Sequence, residues 1–187
     1  MASVYSLTDL VRAMREVTAR TADPDVIVRE LGEPARRFAR TPACRAPEFR
    51  HADETQGFGI FFLNEEPDHT LAVVVASLLP GRSLPPHNHR TWALAVGIDG
   101  SETNISWRRL DDGARPGYAE IVETGRQIAG PGDLLTFTPD DIHSVINETG
   151  AISLSLNLYG LSFPYTHASR FDPIARTEGP LIPDAPV

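Results

Sequence analysis

Three histidines carry the most direct chemical information in this chain. His87 and His89 are separated by one residue in Gly81-Arg82-Ser83-Leu84-Pro85-Pro86-His87-Asn88-His89. In extended backbone alternate side chains share a side, so the two imidazoles can reach one metal ion from one strand. A second segment, Gly132-Asp133 followed by Leu134 to Phe137 and the turn Thr138-Pro139-Asp140-Asp141, delivers His143 at the start of a further strand, four residues before Asn147. His87, His89 and His143 are therefore the candidate metal ligands. His51, His69 and His167 lack such a context and read as exposed or locally hydrogen-bonded loop residues.

A fourth chemical feature is the run Ser153-Leu154-Ser155-Leu156-Asn157-Leu158-Tyr159-Gly160. Strict alternation turns the leucines to one face, into core, and Ser155, Asn157 and Tyr159 to the other. In an antiparallel barrel that other face is the metal cavity. The competing reading of Tyr159 is a core tyrosine with its hydroxyl satisfied at the barrel rim.

The elements that must hold these residues follow from periodicity. Leu7, Leu10, Val11, Met14 and Val17 fall on one helical face after a Ser6/Asp9 capping signature. A second helix begins at Asp23-Pro24 and is expected to break at Gly32 and Pro34 before the basic cluster Arg36, Arg37 and Arg40, which reads as an anion site or a solvated helix face. From about Gly57 the pattern shortens to segments rich in Val, Ile, Phe and Thr, with strands expected at 58–63, 70–79, 91–98, 103–110, 118–124, 134–138, 143–147 and 152–159. With no long helices to make parallel crossovers, these form an antiparallel barrel or sandwich. The expected organisation is one domain overall: a helical segment over 1–50, a barrel over 51–172 and an irregular proline-rich tail over 173–187.

Composition narrows the partners. Seventeen Lys and Arg against 25 Asp and Glu give a net charge of -8, which argues against coating nucleic acid, where phosphate neutralisation demands a basic surface. Cys44 is the single cysteine, so no intramolecular disulfide, cysteine-based zinc cluster or iron-sulfur cluster can form, and any metal is held by nitrogen or oxygen. The start Met1-Ala2-Ser3-Val4-Tyr5 has no leader pattern, and the apolar run from Leu71 to Leu79 is too short to span a membrane. A cytoplasmic protein with no membrane or nucleic-acid partner is expected, as a monomer or homo-oligomer.

The landmarks Gly81, His87, His89, His143 and Asn147 resemble the two motifs of the cupin superfamily, which implies a mainly β double-stranded β-helix, or jelly-roll barrel, with N-terminal helices. That family's first motif usually adds a glutamate ligand, but the corresponding positions here are Ala93 and Leu94. The resemblance thus implies a site of three neutral imidazoles, as used by the thiol dioxygenase branch of the cupins, the cysteine and 3-mercaptopropionate dioxygenases. Ser155 and Tyr159 are similar to the Ser-His-Tyr strand of the bacterial mercaptopropionate enzymes, with Asn157 where that family has histidine. The cysteine that cross-links to tyrosine in animal-type enzymes is replaced by Leu94, and residues 64–69 lack those enzymes' arginine. Arg170 stands where the bacterial enzymes keep their carboxylate-binding arginine; a surface ion pair with Asp172 is the alternative.

The function this resemblance implies is a non-haem iron(II) thiol dioxygenase converting a small thiol carboxylate to its sulfinate with O2, with Fe(II) as cofactor and Zn, Ni or Mn possible in purified protein. Tyr159 and Ser155 with Asn157 would be catalytic, and Arg170 would bind substrate. Two rivals stand beside it: a three-histidine cupin that cleaves a carbon-carbon bond in a diketone-like substrate, and a non-catalytic zinc-binding cupin sensor.

Overall fold

A computed structural model describes residues 5–182. The chain's first four residues, and Pro183 and Pro186 of the expected tail, lie outside the described residues. Helix α1, Leu7–Thr18, opens with the expected capping box: Asp9 N donates to Ser6 Oγ at 3.2 Å, and Ser6 N donates back to Asp9 Oδ2 at 3.0 Å. Its buried face is Leu10, Val11, Met14 and Val17.

Helix α2, Pro24–Ala39, is capped by Asp23 and runs through Gly32 and Pro34 without the expected break. An interior proline costs about 3 kcal/mol of helix stability. Here the helix persists because Ile27, Val28, Leu31, Ala35 and Phe38 bury a continuous stripe in the core. Gly32 admits close packing, since a Cβ there would lie 2.8 Å from Leu134 Cδ2. Within the basic cluster Arg37 and Arg40 are exposed, while Arg36 Nε donates to Gly132 O at 3.1 Å and the Arg37 guanidinium stacks over the Tyr5 ring at 4.6 Å.

The strands are β1 Phe58–Glu65, β2 Thr70–Leu78, β3 Ser83–His87, β4 Ala93–Asp99, β5 Glu102–Arg109, β6 Ile121–Ala129, β7 Leu134–Phe137, β8 Ile142–Ile146, β9 Ser153–Leu161, β10 Ser169–Asp172 and β11 Thr177–Pro180. They form two antiparallel sheets ordered β1-β2-β9-β4-β7 and β11-β10-β3-β8-β5-β6. This is the mainly β, double-stranded β-helix architecture with N-terminal helices that the sequence leads one to expect.

One main core lies between the helices and the outer face of the five-stranded sheet. Val73 and Val75 of β2, Leu94 and Val96 of β4, and Leu154, Leu156 and Leu158 of β9 pack there against α1 and α2. The leucines of β9 thus face away from the barrel interior, and Ser155, Asn157 and Tyr159 face into it. Their cross-strand partners on the same face are small or slim: Ala76 and Gly97 beside Ser155, Val74 and Ala95 beside Asn157, Ala72 and Ala93 beside Tyr159. Those small residues leave the space that becomes the cavity.

Two expectations about the ends of the sheets are corrected. Residues 173–182 are not an irregular tail, because Asp172 Oδ1 accepts from the backbone N–H of Ile174 and Ala175, Arg176 turns the chain at φ 54°, and β11 then pairs with β10. Pro180 is tolerated as the last residue of an edge strand, where no ladder donor is needed. The strand expected at 118–124 begins at Ile121 instead. Arg109 Nη2 donates to Tyr118 O at 2.9 Å and Glu120 N to Asp111 Oδ1 at 2.8 Å, which holds that segment in a loop. Among the described residues no helix is long and apolar enough to cross a membrane.

Candidate metal centre

The structure brings His87, His89 and His143 together, with one potential ligand nitrogen from each lying within 4.8 Å of the others. His87 is the last residue of β3 and sits in register with His143 of β8. His89 lies beyond the strand rather than in it, a correction to the single-strand expectation. The chain stays extended through Asn88 because Asn88 N donates to Ser169 O at 3.1 Å and Ser169 N donates to Asn88 Oδ1 at 2.8 Å. That clamp keeps both histidines on the interior side.

Each of the three residues is 7% exposed, and burial holds all three imidazoles below their ordinary pKa, most strongly at His89 and His143, where neighbouring histidine charge adds to the effect. Neutral rings can bind a cation without first losing a proton. Nδ1 of His87 donates to Pro85 O at 2.8 Å, which leaves its Nε2 lone pair free. Asn104 Nδ2 lies 3.1 Å from Nδ1 of His143, and a half-turn of that amide presents Oδ1 as the acceptor for Nδ1–H, freeing the other nitrogen. Nε2 of His89 and of His143 are 3.3 Å apart. Two imidazole nitrogens sharing one ion at about 2.1 Å lie roughly 3.0–3.4 Å apart, so the spacing fits a shared ion. His89 Nδ1 is buried without a hydrogen-bond partner among the described residues. The donor set fits a divalent metal.

The ligand group contains no carboxylate among the described residues. Glu102 lines the same cavity but is occupied by Ser153 Oγ, which donates to it at 2.7 Å, and burial raises its pKa. Asp99 pairs with Arg50 on the surface.

The cavity has a volume of about 90 Å³, and Ser155, Asn157 and Tyr159 line it together with the three histidines. Asn157 Nδ2 donates to Ser155 Oγ at 3.0 Å, so these two are linked, and neither is hydrogen-bonded to Tyr159. The Tyr159 ring meets the His89 ring edge-on at 5.5 Å, and burial pushes its phenol well above the ordinary value of 10.0. Phe137 lies against His143 with ring centroids 4.0 Å apart.

Arg170 pairs in register with His87 and so shares its face of the sheet. It lines an outer vestibule of about 270 Å³ to which His87, His89 and Tyr159 also contribute. It forms no ion pair with Asp172, whose side chain caps the following turn. Arg82 and Arg90 are engaged elsewhere, with Glu54 O and with Asp140. Asn147, the last motif landmark, is a structural residue: it is fully buried, and its amide donates to Leu78 O and Ala151 O, closing the turn between β8 and β9. His69 stacks on Tyr165 at 3.7 Å and bonds Glu65, as expected of a local loop histidine.

Sequence reasoning missed Asn104. The signal was present in Glu102-Thr103-Asn104-Ile105, where a polar side chain sits at every position but the last, a pattern that suits a strand facing a polar cavity on one side.

No family model and no curated protein matches the sequence. Its fold is similar to that of several solved structures. Recombinant oxalate oxidase in complex with glycolate is 17% identical with a TM-score of 0.46, over 59% of this chain and 56% of that one. An uncharacterized conserved protein with a double-stranded β-helix domain from Klebsiella pneumoniae is 14% identical with a TM-score of 0.46, over 67% of this chain and 92% of that one. A cupin superfamily protein from Desulfitobacterium hafniense is 14% identical with a TM-score of 0.43, over 60% and 84%. This chain spans little more than half the length of the oxalate oxidase.

Proposed function

We propose that the chain is a non-haem iron(II) thiol dioxygenase that converts a small thiol carboxylate, of the cysteine or 3-mercaptopropionate type, to its sulfinate. The observation that carries this reading is a cluster of three buried histidines with no carboxylate ligand among the described residues, opening on a cavity with Tyr159 on its wall and Arg170 at its mouth. Iron(II) held by His87, His89 and His143 would supply the redox chemistry that couples dioxygen to the thiol sulfur. Both oxygen atoms enter the sulfinate and the thiol proton leaves to solvent, so no further reductant is required.

The chain's own residues have distinct tasks on this reading. The Tyr159 phenol, kept protonated across the neutral range by burial, donates a hydrogen bond into the cavity. Ser155 and Asn157 form a linked polar pair on the same wall and orient water or substrate there. Asn157 does not titrate near neutral pH, so it holds position and relays no charge. Arg170 receives the carboxylate, for which a guanidinium fork is suited. The apolar wall formed by Leu84, Leu135, Phe137 and Val145 keeps bulk water from the reacting sulfur.

Oxygen-electrode traces of iron-loaded protein with cysteine, 3-mercaptopropionate, cysteamine and acetylacetone test the proposal. Uptake with a thiol carboxylate and none with cysteamine or acetylacetone supports it. The apolar character of that same wall favours a second reading, carbon-carbon cleavage of a diketone-like substrate, and uptake with acetylacetone alone would establish that reading in its place. A zinc-binding sensor would give no uptake with any of the four.

A further inference from the structure

The inner cavity is not the whole binding space. Its outer neighbour, about three times larger, is walled by Phe58, Ile60, Leu84, Phe163, Leu181 and Ile182. Ile60 and Phe62 are 38% and 43% exposed, and Phe62 stacks on Phe163 with centroids 5.6 Å apart, so the lip of the vestibule is apolar as well. Large apolar side chains held at a concave mouth mark a ligand surface, since water gains nothing from them. Among the described residues that line it, Arg170 is the only one with a charged side chain, since the two histidines at its base are neutral. Arg90 and Arg109, also near this end of the barrel, are both engaged with Glu178, whereas Arg170 has no ion pair among the described residues.

Cysteine and 3-mercaptopropionate have only one or two methylenes to place against such walls and leave the vestibule largely unfilled. The geometry points to an acid with an apolar body: its reacting head enters the three-histidine cavity, its carboxylate meets Arg170, and an aryl or branched alkyl group larger than either compound provides fills the vestibule. This inference rests on the reading of His87, His89 and His143 as the metal centre and names the substrate class for it. Each methylene buried in the vestibule tightens binding by about fourfold.

Calorimetric titration of the zinc-loaded protein under anaerobic conditions separates binding from turnover, because zinc has no redox chemistry. The probes are 3-mercaptopropionate, 2-benzyl-3-mercaptopropionate and the carboxamide of the latter. The benzyl acid is expected to bind at least about tenfold more tightly than the parent, and its carboxamide roughly five- to tenfold more weakly than the acid. Ile60→Glu, at an exposed position of edge strand β1, should abolish the benzyl advantage, and Arg170→Gln should abolish the distinction between acid and carboxamide. The comparison on unaltered protein decides by itself: if the benzyl acid binds no more tightly than 3-mercaptopropionate, or fails to bind, the assignment is overturned. Failure of the oxygenase reading appears separately, as iron-loaded protein that consumes no oxygen although the zinc form retains the benzyl preference.

Discussion

His89 has the environment that most needs a cation. Its Nε2 faces the Nε2 of His143 at 3.3 Å and its Nδ1 is buried with no hydrogen-bond partner among the described residues, so without an ion two imidazole nitrogens stand desolvated and close together. Metal binding relieves that arrangement, and by linkage it stabilises the fold. Adding a chelator should therefore lower the thermal midpoint by several degrees, and His143→Ala should carry close to no metal and show no chelator effect in differential scanning calorimetry. Asn104→Ala leaves the three ligands in place but removes the partner of His143 Nδ1. Metal affinity in a competitive chelator titration is expected to fall roughly 10- to 100-fold. Tyr159→Phe separates binding from chemistry: metal content should stay unchanged while turnover falls on the order of 100-fold, the loss typical of one positioned donor. Unchanged turnover would return Tyr159 to the role of a core tyrosine.

At the scale of elements, the site depends on a sheet whose two faces do different work. Leu156 is fully buried between β9 and the helices, and Leu156→Ala is expected to cost about 2–5 kcal/mol in urea unfolding, while the polar side of the same strand is untouched. Gly97 lets β4 pass close to the 130–131 turn: a Cβ there would lie 2.1 Å from Gly130 O, against backbone that cannot swing aside. Gly97→Ala should be at least as damaging as the leucine truncation, although it adds only a methyl group. The alternation in β9 was legible because one face is core and the other is cavity, the case in which a period of two survives in sequence. β3 was legible only as extended backbone around His87, not with its true bounds Ser83–His87. Pro85 and Pro86 withhold ladder donors, its pairing to β8 shifts between Leu84 and His87, and it meets β10 only at the His87–Arg170 pair. The continuity of α2 through Pro34 is hidden in sequence for the opposite reason, since tertiary burial outweighs an unfavourable local signal.

For the molecule as a whole, surface charge and site charge are separate matters. The net charge of -8 resides on a surface that includes the network joining Arg109 to Asp111 and Glu178, which ties β5 to the β10–β11 hairpin. The Arg109 hydrogen bonds hold Asp111 well below the ordinary carboxylate value of 3.8. A depressed carboxylate contributes stability that is full above that value and is lost as pH falls toward the folded-state pKa. Thermal midpoints measured from pH 7 down to pH 3 should therefore decline less steeply for Asp111→Asn than for the unaltered protein; equal slopes would show that the pair contributes nothing. Fold class and the grouping of His87, His89 and His143 could be read from sequence because glycine turns, prolines and histidine spacing are local marks. The vestibule could not, because Phe58, Phe163 and Leu181 are brought together by sheet closure across 123 residues of chain. The central claim is that this closed barrel oxidises a thiol at a three-histidine centre. It is tested most directly by mass spectrometry of the product formed from 3-mercaptopropionate or its benzyl derivative by iron-loaded protein under labelled dioxygen. The expected result is a sulfinate carrying both oxygen atoms from the labelled gas, absent with His143→Ala. A product without sulfinate, or a sulfinate whose oxygens come from water, would contradict it.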